Sequence, residues 1–127
     1  MKDIDPVMKS TFLKDFSDFL TVIKALEMEQ LDITIGIEQC TSLIDDIIDD
    51  MFIMDIEAHD YFITKRNEIS EANKQAKEER RQRIKDPRDQ MDDRNIKRLI
   101  LTQYDLPKYR KLLSCIKQIA YDKGWFR

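Results

Sequence analysis

From Ile37 to Asp86 the chain contains neither glycine nor proline, and the whole 127-residue sequence has two glycines and three prolines. A sheet protein needs turn residues at intervals of roughly 8–12 positions, whereas helices run long distances without them. The sequence therefore predicts an all-α chain. Hydrophobic residues make up 42% of it, enough to build a core and to set wholesale disorder aside. The length predicts one domain, residues 1–127, in the form of a helical bundle.

Asp5-Pro6 is a helix start, because aspartate caps and proline suits the first helical position. Met8, Phe12, Phe16, Phe19, Leu20, Ile23 and Leu26 then share one face, which predicts a first amphipathic helix over about 6–30. Residues 32–38 alternate Ile33, Ile35 and Ile37 with polar residues and include Gly36, and we read them as a turn leading into helix. From Thr41 or Ser42 a second helix is expected to 63 and onward toward 85. Its apolar arc contains Leu43, Ile44, Ile47, Ile48, Met51, Met54, Ala58, Tyr61 and Phe62. Asp45, Asp46, Asp49, Asp50, Glu57 and Asp60 fall on the opposite, water-facing side.

The apolar signal thins beyond Ile63, so residues 65–92 are expected to be a solvent-exposed extension or connector, ended by Asp86-Pro87. Ile96, Leu99, Ile100 and Gln103 predict a short helix. Asp105-Leu106-Pro107 then opens the last one, by the logic of Asp5-Pro6, with Gly124 as its left-handed end and Trp125 or Phe126 as the apolar contact. The expected architecture is a long antiparallel helical hairpin completed by two shorter C-terminal helices.

Charge divides the chain. Residues 1–60 hold 4 Lys and Arg against 15 Asp and Glu, a net of −11, and residues 61–127 hold 18 against 10, a net of +8. A dipolar chain of this kind folds back on itself, pairs with a copy, or offers its ends to different partners. The opening residues carry no apolar run, and no stretch approaches the roughly 20 apolar residues that cross a bilayer. The expectation is a cytoplasmic protein away from membranes, with Cys40 and Cys115 as reduced thiols.

Asp45-Asp46-Ile47-Ile48-Asp49-Asp50 resembles, as a string, the DDxxD motif of polyprenyl diphosphate synthases, where aspartates on facing helices hold magnesium against a diphosphate. The resemblance covers six residues and would imply magnesium chemistry. Similar carboxylate clusters serve all-α nucleotide pyrophosphohydrolases, so a magnesium-dependent carboxylate-cluster enzyme is a third functional class. The acids fall on the water-facing side, and a solvated face is the reading carried forward.

Asp55 and His59, four apart on the apolar arc, are expected to point inward as a mutual polar contact that sets core or interface geometry, with Met51 and Phe62 beside them. Arg80, Arg81, Arg83, Lys85, Arg88, Arg94, Lys97 and Arg98 form a basic contact surface, which Lys77, Lys108, Arg110 and Lys111 extend. With Tyr104 and Tyr109 nearby, this region suits nucleic acid or an acidic protein. Glycine-rich phosphate loops are excluded for want of glycine. The function expected first is a non-enzymatic adaptor or regulatory protein, self-associating and bound to a protein partner, without cofactor or metal. Nucleic-acid association through residues 80–111 stands second.

Overall fold

A computed structural model describes residues 5–83 and 93–126, and every described element is helical. They are α1 (Pro6–Glu27), α2 (Ile33–Met54), α3 (Ile56–Arg83), α4 (Asp93–Ile100), a π-helical turn (Leu101–Asp105) and α5 (Leu106–Asp122). The chain is all-α.

α1 starts where sequence places it. The Asp5 carboxylate accepts the Val7 N–H at 2.9 Å and Pro6 occupies the first turn. It ends at Glu27 through two bonds from the residues beyond, Gln30 N–H to Ala25 at 2.8 Å and Glu29 N–H to Leu26 at 3.2 Å. That closure requires a left-handed residue, and Glu29 supplies it at φ 57°. Glycine normally fills such a position, so nothing in the sequence marked this end.

α2 begins eight residues before the expected Thr41. Asp32 accepts the N–H groups of Thr34 (3.1 Å) and Ile35 (3.3 Å), so residues 33–38 are the first turns of helix and not a connecting turn. Packing against α1 overrides the alternating pattern: Ile37 is buried, Ile33 half-buried and Ile35 exposed. Leu26 near the end of α1 lies over Gly36, and Asp15 lies beside Asp50, so α2 runs back along α1. Gly36 makes the close approach, since a Cβ there would sit 2.7 Å from Leu26 Cγ.

The expected continuous helix through residues 41–63 is broken. Asp55 is extended (φ −161°, ψ 102°), ends α2 and starts α3. Its Oδ1 accepts the Ala58 N–H at 3.2 Å, and its Oδ2 pairs with Lys123 Nζ at 3.1 Å. The kink arises because a short carboxylate competes for the free N–H groups of the next turn. The C-terminal end of α5 then holds it.

Asp105 departs from expectation in the opposite sense. It makes no cap, and the chain runs from α4 through the π turn into α5 without a stop. Pro107 lacks an N–H, and the wider turn accommodates it, with Leu106 N–H bonded back to Leu101. α5 ends as the sequence predicts: Gly124 is left-handed at φ 74°, and Trp125 N–H reaches Ala120 at 2.9 Å. Trp125 meets Phe12 edge-to-face at 5.0 Å, carrying the end of the chain onto α1.

The core is one cluster. Phe12, Phe19, Ile23 and Leu26 come from α1, Ile37, Cys40, Ile44, Ile47 and Met51 from α2, Ala58 and Phe62 from α3, and Leu106, Tyr109, Leu112, Ile116, Ile119 and Ala120 from α5. No residue of 63–81 is buried, as the thinning apolar pattern predicts for that part of the extension. The rest, residues 84–92, lies outside the described residues. Among the described residues, ion pairs that join the acidic and basic halves include Asp32–Arg98 (2.7 Å), Glu27–Arg110 (3.1 Å) and Asp55–Lys123. No described helix is long and apolar enough to cross a membrane.

Candidate interaction surfaces

Large apolar side chains are exposed on both sides of the kink. Phe52 and Ile53 close α2, Ile56 opens α3 and Tyr61 follows a turn later; each is more than half exposed. Of these, Tyr61 also lines a groove of about 690 Å³ between α3 and α5, with Glu57, Ala58, Cys115 and Ile119 among its walls. Exposed large apolar side chains scattered singly need no explanation, and four within ten residues single out this segment as a candidate contact surface.

Asp55 and His59 stand here, though not as the expected pair. The Asp55 carboxylate is engaged by Ala58 and Lys123, while His59 Nδ1 lies 3.0 Å from Asp60 Oδ1 and its ring rests edge-on against Phe52 at 5.2 Å. The break at Asp55 removes the continuous helix that would have aligned their side chains. Burial pushes the Asp55 carboxyl up, but the Ala58 N–H and the Lys123 ammonium outweigh it and hold the group below the ordinary carboxylate range. Met51 and Phe62 are wholly enclosed by this chain, so they set core packing and are closed to a partner.

A second surface lies where α3 passes the π turn. Asp105 is buried and its Oδ1 accepts Asn73 Nδ2 at 3.0 Å and Lys77 Nζ at 2.6 Å. Arg80 Nη1 donates to Gln103 Oε1 at 2.6 Å, and its guanidinium lies 5.9 Å from the Tyr104 ring centre. Lys108 is half-buried nearby. Burial lowers its pKa, and Lys77 and Arg66 lower it further against the pull of Asp105.

This cluster differs from the basic stretch read from sequence. Arg80 belongs to it; Arg81 is exposed and pairs with Glu78 at 3.7 Å. Arg98 is committed to Asp32, and Lys97 is exposed on α4. Lys85 and Arg88 lie outside the described residues, and only the backbone of Arg83 and Arg94 is described. Asn73 was missed because its partner Asp105 lies 32 positions on, and Arg66 because Lys108, whose charge it opposes, is still more distant in sequence. Only the spacing of Arg66, Asn73, Lys77 and Arg80 along one helix face could have hinted at it.

The acidic string on α2 is divided. Asp45, Asp46 and Asp49 are exposed, whereas Asp50 is turned into the α1–α2 interface and is 7% exposed, contrary to the water-facing placement expected. Its Oδ2 has no hydrogen-bond partner, and Asp15 of α1 is the carboxyl within hydrogen-bonding reach. Burial first, then Asp15, Asp46 and Asp49, push the Asp50 carboxyl up to about 8. Among the described residues no group of three or more His, Cys, Asp or Glu is placed to hold a metal ion. Burial pushes Cys40 up to about 12 and raises Cys115 as well, so neither thiol is activated as a nucleophile. Compared with protein-family models, curated proteins and solved structures, the chain matches none of them.

Proposed function

We propose that this chain is a non-enzymatic adaptor or regulatory protein that works by protein–protein contact and associates with itself. The observation that carries the reading is the exposed apolar side chains about the kink, where Phe52, Ile53, Ile56 and Tyr61 are each more than half exposed within ten residues and Tyr61 lines the α3–α5 groove. Each large apolar side chain taken out of water is worth about 1.5–3 kcal/mol. Even partial burial of four gives several kcal/mol toward association, against the entropic cost of bringing two bodies together. One such face can meet its own copy about a two-fold axis, which is the commonest symmetry of small assemblies.

Light scattering on the intact protein across a dilution series tests the self-association. The expected result is a mass that rises with concentration and falls to the monomer in a doubly substituted Ile53→Ser, Ile56→Ser chain whose circular dichroism is unchanged. A wild-type monomer at every concentration would refute self-association. An assembly untouched by the double substitution would refute the face assigned to it.

A further inference from the structure

Between α3 and the π turn lies a hollow of about 180 Å³ with an apolar floor of Ile69, Ala72, Ala76 and Pro107. Liquid water occupies about 30 Å³ per molecule, so the hollow takes several waters or one partly hydrated phosphate group. Lys108 and Lys111 stand on its α5 side. Along α3, Arg66, Asn73, Lys77 and Arg80 recur at spacings that place them on one face.

The charges here do not cancel. Asp105 is already satisfied by Asn73 and Lys77. Arg66, Lys108 and Lys111 make no ion pair among the described residues. Lys108 is half-buried on the wall of the hollow, where burial disfavours its charge first; Asp105 offsets part of that, Lys77 and Arg66 add to it, and an incoming anion would favour the charged form. The π turn itself widens the helix at this point, and such turns recur where helices carry binding sites.

We propose that the hollow and the basic stripe beside it bind the phosphodiester backbone of a nucleic-acid strand. Lys108 and Lys111 hold one phosphate over the hollow, Arg66 and Arg80 engage its neighbours along α3, and Tyr104 offers a face for a base. Arg66 to Arg80 spans about 21 Å at about 1.5 Å per residue, longer than any single phosphate group, which favours a strand over a free anion. The aromatic ring under Arg80 favours nucleic acid over an acidic peptide, because base stacking uses such a platform. This surface is separate from the apolar kink, and its test does not depend on that face.

Fluorescence anisotropy with a labelled single-stranded oligonucleotide, titrated at several salt concentrations, tests the proposal. Three phosphates neutralised on a single strand give a slope of log affinity against log salt of about −2. The Lys108→Gln, Lys111→Gln double variant should bind at least about tenfold more weakly, with a slope shallower by about 0.7 for the one phosphate the pair holds. Arg66→Gln, a surface change that leaves the core intact, should lose affinity in the same direction. Lys117→Gln, an exposed site on another face of α5, should bind as wild type. Pyrophosphate should compete only weakly. The proposal is overturned by absence of binding at low salt or by variants that bind like wild type. Pyrophosphate or a polyglutamate peptide binding as tightly as the oligonucleotide overturns it equally.

Discussion

Replacing Asp50 with asparagine should stabilise the protein, and only above acidic pH. The carboxyl is 7% exposed, one of its oxygens has no partner, and Asp15 faces it from α1. In the unfolded chain Asp50 ionises near pH 4, whereas in the folded chain it keeps its proton until about 8. The sign follows from linkage. Below pH 4 both states are protonated and the group contributes no penalty. As pH rises from 4 to 8 the unfolded state gains from ionisation and the folded state does not, so stability falls and then levels.

Four units at about 1.4 kcal/mol each set a ceiling of about 5–6 kcal/mol. Asp15 is only half-buried, and relaxation of the pair reduces the effect, so we expect about 2–3 kcal/mol at pH 9. That is a large share of the roughly 5–15 kcal/mol that holds a domain folded. Asparagine keeps the shape, cannot ionise, and can donate to Asp15 as the protonated acid does. Urea unfolding of both proteins, followed by circular dichroism from pH 5 to pH 9, reads the difference directly. The gap should be under about 1 kcal/mol at pH 5 and widen with pH. A gap that stays flat, or a variant less stable than wild type at pH 9, refutes the reasoning.

Other substitutions test the junctions. Asp55→Ala removes both the α3 cap and the Lys123 contact and should cost about 1–2 kcal/mol at neutral pH by chemical denaturation. Because the Asp55 carboxyl is held below its ordinary range, that cost should disappear as pH falls through the folded pKa. His59→Ala should cost under about 1 kcal/mol at pH 7, since its polar partner Asp60 is largely exposed. Glu29→Gly should stabilise the chain by about 0.5–1 kcal/mol, by relieving a left-handed backbone that glutamate adopts at a cost. Gly36→Ala gains about 1 kcal/mol of helix propensity and loses about 2 to crowding Leu26, for a net loss of about 1 kcal/mol in thermal or urea unfolding.

What the sequence made legible was local. Asp5-Pro6, the apolar stripe from Phe12 to Leu26, and Gly124 followed by Trp125 are all signals read within a few residues, and each is where it was expected. The errors came where a distant partner decided the outcome. Asp55 looks like one more helical position until Lys123, 68 residues later, engages it beside the free N–H of Ala58. Asp50 lies beside exposed acids on the helical wheel, and the proximity of Asp15 and the close approach at Gly36 are properties of the α1–α2 packing. Asp105-Leu106-Pro107 carries the residues of a helix start, yet Asn73 and Lys77 occupy the carboxylate and α4 feeds straight through the π turn. The exposure of Phe52, Ile53 and Ile56 was open to a wheel reading, since on a continuous helix they fall away from the core arc; the break at Asp55 was not, and Tyr61, placed on that arc, is more than half exposed.

Hydrogen–deuterium exchange on dilute and concentrated samples of the intact protein probes the claimed interaction face most directly. Backbone amides at residues 52–61 and in the groove-lining stretch 114–119 should gain protection as concentration rises, while α3 beyond residue 65 stays unchanged. Exchange at 52–61 that is the same at every concentration, or protection that appears only elsewhere, would contradict the account.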